Sequence, residues 1–211
     1  MTNNSKQPLT EKTVREAERH ISRSDPVMKR LIAEHGSCPL AKWEYHPFHT
    51  LVTSIISQQL SAKAADTIEN RIAEMVSVPF EPMELLSVSV ESLRSAGLSR
   101  PKARYMRELA QRVSDGRLSF SNIESEKDDD DVIAALVDCP GIGRWTAEMF
   151  LIFGLKRLDV LSLGDAGLQR AARLLYGNGE DGAGLLASVA DVWHHIGLLV
   201  VGICGNTLGD R

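Results

Sequence analysis

The 211-residue chain is predicted to be all-α, and two observations predict it. Helix start and stop residues recur along its length. Convincing alternating strands are absent. A hydrophobic content of 43% comes without an apolar run near the roughly 20 residues of a membrane span.

Taken in order, Asp25-Pro26 opens a helix that ends before Gly36, with Asp as cap and Gly as terminator. Phe48 to Ile56 is an apolar helix, and Ser61 caps the next, which leaves Gln58-Gln59 in a loop or at a helix end. Ser89 starts a helix that stops at Gly97. Ser99 opens another, with Pro101 near its first position, that ends near Gly116. A short amphipathic helix begins near Asp131 and is ended by Pro140. Gly141 and Gly143 then permit a tight turn with positive φ, and Arg144 to Phe150 forms a second helix. Gly164-Asp165 precedes a helix from Ala166 to Tyr176, and Ile196 to Ile203 reads as a short buried helix.

The segment around Gly141 carries the most chemistry. Two glycines without side chains allow close approach, and the amides opening the second helix face outward with the positive end of its dipole, so an anion such as a DNA phosphate fits there. A plain αα-hairpin whose glycines only permit the bend gives the same pattern. Asp165 likewise has two readings, a helix cap or a reactive carboxylate.

Length and charge bound the partners. The chain is long enough for one compact unit or for two lobes around a cleft. With 24 Lys plus Arg against 28 Asp plus Glu the formal charge is −4, which does not mark a strongly basic nucleic-acid binder. Charge is unevenly distributed, however. Arg94, Arg100, Lys102, Arg104, Arg107, Arg112 and Arg117 form a basic stretch suited to phosphate, and the following acidic run, Glu124 to Asp131, reads as solvated surface or loop. Cys38, Cys139 and Cys204 lack metal-ligand spacing, so neither zinc nor an iron–sulfur cluster is expected, and they suit a reducing compartment. The polar N-terminus carries no secretory signal.

Three segments in order resemble the helix-hairpin-helix (HhH-GPD) DNA glycosylases, and among them the 3-methyladenine DNA glycosylase II branch. They are Ser54-Ile55-Ile56-Ser57-Gln58-Gln59-Leu60-Ser61, Ala96-Gly97-Leu98-Ser99-Arg100-Pro101-Lys102-Ala103-Arg104, and Leu136 to Met149 with the downstream Asp165. The resemblance implies two helical lobes around a DNA-binding cleft, residues about 46–155 and the two termini, 1–45 plus 156–211. It implies Asp165 as the catalytic carboxylate, with Asp159 as fallback, and Gln59 as the side chain inserted where a base has been extruded. Lys102, Gly141, Gly143, Arg144 and Thr146 are implied as DNA contacts. Trp145 stands where bifunctional relatives carry a nucleophilic lysine, so base release without strand cleavage is implied; its ring borders the base pocket or is a core aromatic.

Trp43, Trp193 and His194 are further pocket candidates, beside Tyr45, His46 and His195. The family's aromatic–Arg–Ser pattern on its last helix is replaced here by Val192-Trp193-His194-His195-Ile196, which bears on base specificity. The carbonyls of Val137, Cys139 and Ile142 are implied to hold a monovalent cation, Na+ or K+; no other cofactor is expected. The implied activity is hydrolytic excision of alkylated bases such as 3-methyladenine from damaged double-stranded DNA, by a monomer without membrane association. Its compartment is the cytoplasm or nucleoid of a bacterium or the nucleus of a eukaryote. Excision of a mismatched, deaminated or oxidised base, or a non-catalytic DNA-binding role, are the alternatives.

Overall fold

The computed structural model describes residues 9–42, 44, 46–126, 128–177 and 181–190, and these form α-helices with no strand among them. The order is α1 (Glu11–Ser24), α2 (Pro26–His35), a 3₁₀ turn (Pro39–Lys42), α3 (Pro47–Ser57), α4 (Ala62–Ala73), α5 (Pro82–Ser87) and α6 (Val90–Ser95). Then come α7 (Arg100–Ser114), α8 (Phe120–Ser125), α9 (Asp129–Val137) and α10 (Arg144–Met149), which runs on into a π-helical turn (Phe150–Gly154). The last two are α11 (Ala166–Tyr176) and α12 (Gly182–Ala190).

The caps read from sequence are made. Side chains of Asp25, Ser61, Ser89, Ser99 and Asp165 each accept a hydrogen bond from a first-turn amide of the helix that follows. The acidic run is largely exposed, as expected of a solvated surface, and its last residues are helix rather than loop. Asp128 Oδ1 accepts from the Asp130 amide at 2.8 Å and so caps α9, whose first turn carries Asp129, Asp130 and Asp131. Carboxylates there face the positive end of the helix dipole. α9 therefore starts two residues earlier than expected, and it stops at Val137, leaving Pro140 within the turn.

The chain divides into two compact units, Tyr45–Phe150, and Met1–Glu44 together with Leu151–Arg211. In the first, α3 is an apolar helix that buries Phe48, Leu51, Val52, Ile55 and Ile56. It packs on α4, α7 and α10, while α5 and α6 lie against α7. α7 buries Ala103, Met106, Leu109 and Ala110 at helical spacing.

In the other unit α1 packs on α2 and α11 on α12, with Ile21, Met28 and Leu31 fully enclosed. Buried Asp25 fastens this unit. Its Oδ1 accepts from the amides of Val27 (2.8 Å) and Met28 (3.0 Å), and its Oδ2 accepts from the Tyr176 hydroxyl at 2.6 Å, 151 residues away in sequence.

Losing that cap costs about 0.5–2 kcal/mol, and losing a hydrogen bond to a charged group about 1.5–3. Asp25→Ala is therefore expected to lower unfolding free energy by about 2–4 kcal/mol in denaturant titration, and Tyr176→Phe by about half of that. A change below ~0.5 kcal/mol for Asp25→Ala would contradict this assignment.

Candidate functional site

The hairpin predicted at Gly141 is present, with α9 and α10 as its arms. Its two glycines do different jobs. Gly141 takes φ +88°, a left-handed conformation that glycine alone adopts freely. A Cβ there would also lie 2.4 Å from the ring of Tyr105 on α7, so the turn sits directly on that ring. Gly143, expected to share the positive φ, is instead extended at φ −91°, ψ 172°, and caps α10 without a side-chain bond. Nothing lies within 4 Å of a Cβ built on it, so its face is open. The turn is closed by the Ile142 amide donating to the Cys139 carbonyl at 3.1 Å, which leaves that carbonyl a second lone pair.

Gln58 and Gln59 end α3 beside this turn. Gln58, half-buried, donates from Nε2 to the Gly141 carbonyl at 2.8 Å and to Thr146 Oγ1 at 3.3 Å. Sequence reading missed this bridge, because its partners lie 83 and 88 residues away. Thr146, expected to touch DNA, is buried and held by it. Gln59 is exposed and has φ +58°, a left-handed value uncommon for a residue with a side chain. Together the two segments wall an open depression of about 450 Å³, with Gln58 and Gln59 on one side and Gly141, Gly143 and Trp145 on the other. Trp145 is 41% exposed there, so the core-aromatic alternative is set aside.

The basic stretch divides: Arg94, Arg100, Arg104 and Arg117 are exposed, whereas Lys102, Arg107 and Arg112 are half-buried and bonded within the fold. Lys102 Nζ donates to the carbonyls of Ile56 (2.8 Å) and Gln58 (2.5 Å), and burial lowers its pKa. Arg107 donates to the carbonyls of Leu86 and Val88, which end α5. Arg112 bridges Glu108 and Asp138, tying α7 to the end of α9. Arg117 pairs with Asp115 and Glu108. Helix ends leave carbonyls without amide partners, and cations suit them. Arg144, at the start of α10, is exposed and shared between Asp130 (3.2 Å) and Glu148 (3.0 Å).

Asp165 caps α11, its Oδ1 accepting from the Leu168 amide at 2.7 Å. The cap reading is thus correct, and it fixes the rotamer of a half-buried carboxylate. Asp159 is exposed. Trp43, Trp193 and His194, with Tyr45 and His195, lie outside the described residues. His46 caps α3 through its backbone carbonyl, which accepts from Thr50. Among the described residues no cluster of His, Cys, Asp and Glu could hold a metal ion, and no helix is long and apolar enough to cross a membrane.

The unequal glycines give an expected outcome. Gly141→Ala forces a left-handed alanine, at a cost of about 1–2 kcal/mol, and displaces Tyr105, so its unfolding midpoint falls. Gly143→Ala fits its backbone and meets no atom, so its stability stays within ~0.5 kcal/mol of the parent. Equal losses in the two variants, measured by denaturant titration, would contradict this division.

A family profile described as "HhH-GPD superfamily base excision DNA repair protein" matches residues 52–195. DNA-3-methyladenine glycosylase 1 of Schizosaccharomyces pombe is 33% identical over 165 residues, covering 76% of this chain and 72% of its own. Among solved structures, DNA-3-methyladenine glycosidase from Bacillus halodurans superposes with a TM-score of 0.72 at 38% identity, over 93% of this chain and 91% of the other. The S. pombe 3-methyladenine DNA glycosylase Mag1 in complex with abasic DNA gives 0.75 at 25% identity, over 92% and 97%. A glycine hairpin, the Gln58-Gln59 loop beside it and a capped Asp165 fall within the matched residues, and the chain belongs to the HhH-GPD superfamily of base excision DNA repair proteins.

Proposed function

We propose that this chain is a monofunctional DNA glycosylase that extrudes an alkylated base such as 3-methyladenine from duplex DNA and hydrolyses its N-glycosidic bond. Its similarity to glycosylases named for 3-methyladenine, one of them solved in complex with abasic DNA, supports this reading. The observation that carries it is the open face at Gly143, with exposed Gln59 and Trp145 on the walls of one depression.

Each part has a task. The hairpin backbone takes a phosphate of the duplex, since its open glycine lets the chain come close. Gln59 enters the stack as the base leaves it, and its amide hydrogen-bonds the orphaned partner. As the glycosidic bond breaks, positive charge grows on the sugar, and the Asp165 carboxylate stabilises it and takes the proton of the attacking water. The base leaves with the bond electrons, and water oxygen joins the sugar carbon. An alkylated cationic base is already a good leaving group, so one carboxylate suffices. Trp145 has no amine to form a Schiff base, so the product is an intact abasic strand.

The neutral carbonyls of Val137, Cys139 and Ile142 suit a hard monovalent cation. Na+ or K+ held there would add positive charge towards the phosphate. The enzyme acts as a monomer, and its chemistry calls for no other cofactor.

The test is base release from methylated duplex DNA, with chromatographic identification of the freed bases. The parent chain is expected to release 3-methyladenine and to give no borohydride-trapped adduct. Asp165→Asn is expected to lose at least ~10³-fold in single-turnover rate while still binding DNA. Release of a mismatched, deaminated or oxidised base alone would reassign the substrate. DNA binding without any release would make the chain a binding module.

A further inference from the structure

Gln59 is the one residue of the Gln58-Gln59 loop whose backbone is left-handed, at φ +58°, and two groups flank it. On its N-terminal side, the Gln58 carbonyl is gripped at 2.5 Å by the Lys102 ammonium, which also holds the Ile56 carbonyl at 2.8 Å. On its C-terminal side, the Leu60 amide donates to Ser57 at 3.0 Å. The Gln58 carbonyl and the Gln59 amide belong to the same planar peptide, so a cation that orients that carbonyl sets the plane about which Gln59 turns. Lys102 comes from the first turn of α7, a helix anchored by fully buried Ala103 and Met106.

We infer that Lys102 is a positioning residue for base extrusion: it holds the Gln58-Gln59 loop in its inserting conformation from inside the protein, in place of the phosphate contact expected from sequence. The two roles differ in what they leave behind. A phosphate contact releases a counterion on binding, so its loss lowers the slope of log K against log salt by about 0.9. An inward lysine contributes nothing to that slope. Its loss is felt where a paired base must be displaced and replaced, and is spared where no partner needs one.

The inference rests on the glycosylase reading, and the experiment separates the two. Full-length parent, Lys102→Met and Lys102→Gln are compared on one duplex with 2-aminopurine opposite a stable abasic analogue, where fluorescence reports insertion without excision. Excision is then timed from a methylated base in a fully paired duplex and from the same base in an unpaired bubble. Lys102→Met is expected to lose most of the fluorescence change at saturating protein. It should slow excision about ten-fold or more from the paired duplex and less than about two-fold from the bubble, with an unchanged salt slope. Lys102→Gln, which keeps an N–H donor group without the charge, is expected to fall between, and it carries the comparison if the methionine variant does not fold.

Parent-like fluorescence and excision in both contexts would overturn the inference, as would equal slowing in both with a salt slope reduced by about 0.9. If the parent itself releases no base, the glycosylase reading fails, and the fluorescence arm still decides whether Lys102 sets the loop.

Discussion

The candidate site depends on one mount, α7, and on the polar groups it extends in two directions. Lys102 grips the carbonyls that end α3, Tyr105 forms the floor under Gly141, and Arg112 holds Asp138 at the end of α9. The loop and the hairpin come from distant parts of the chain, and either alone would be a short connection with few contacts of its own. Gln58 joins them by donating to Gly141 and Thr146. The result is a pair of segments tied to each other within the protein, and in the proposed function this leaves little ordering entropy for the binding step.

The same arrangement accounts for an acidic protein in a family of DNA repair proteins. A count of basic residues overstates the surface available to phosphate, because Lys102, Arg107 and Arg112 bond helix ends and carboxylates within the fold, while Arg94, Arg100 and Arg104 stay exposed. Arg144, the basic residue nearest the open hairpin face, shares its charge with Asp130 and Glu148. In the proposed function, affinity draws on oriented backbone groups and close approach as well as on the exposed arginines, and the expected salt dependence is modest.

What sequence revealed was local. Caps need only a Ser or Asp within one turn of a helix start, and so Asp25, Ser61, Ser89, Ser99 and Asp165 were legible, together with the hairpin and the all-α class. The inward bonds of Lys102 and Gln58 were not, since Lys102 finds its partners 44 and 46 residues away and Gln58 finds its own 83 and 88 residues away. Nor does a Gly-x-Gly pattern say which glycine needs a positive φ. That was settled by Tyr105, which leaves room under Gly141 for no side chain, while Gly143 faces open space. Resemblance to a family points to the reaction, whereas the residues alone leave Asp165 two readings, a cap or a reactive carboxylate.

Held by the bonds of Gln58 and Lys102, the loop after α3 and the hairpin turn should be rigid in the protein without DNA. Native-state hydrogen exchange measures this directly at two amides, Leu60, which donates to Ser57, and Ile142, which donates to Cys139. Both should open only with the same free energy as the interior amides of α7, such as Met106 and Leu109. Exchange of either amide at the rate of an unstructured loop, while α7 stays protected, would show that the site is ordered by DNA and contradict the account.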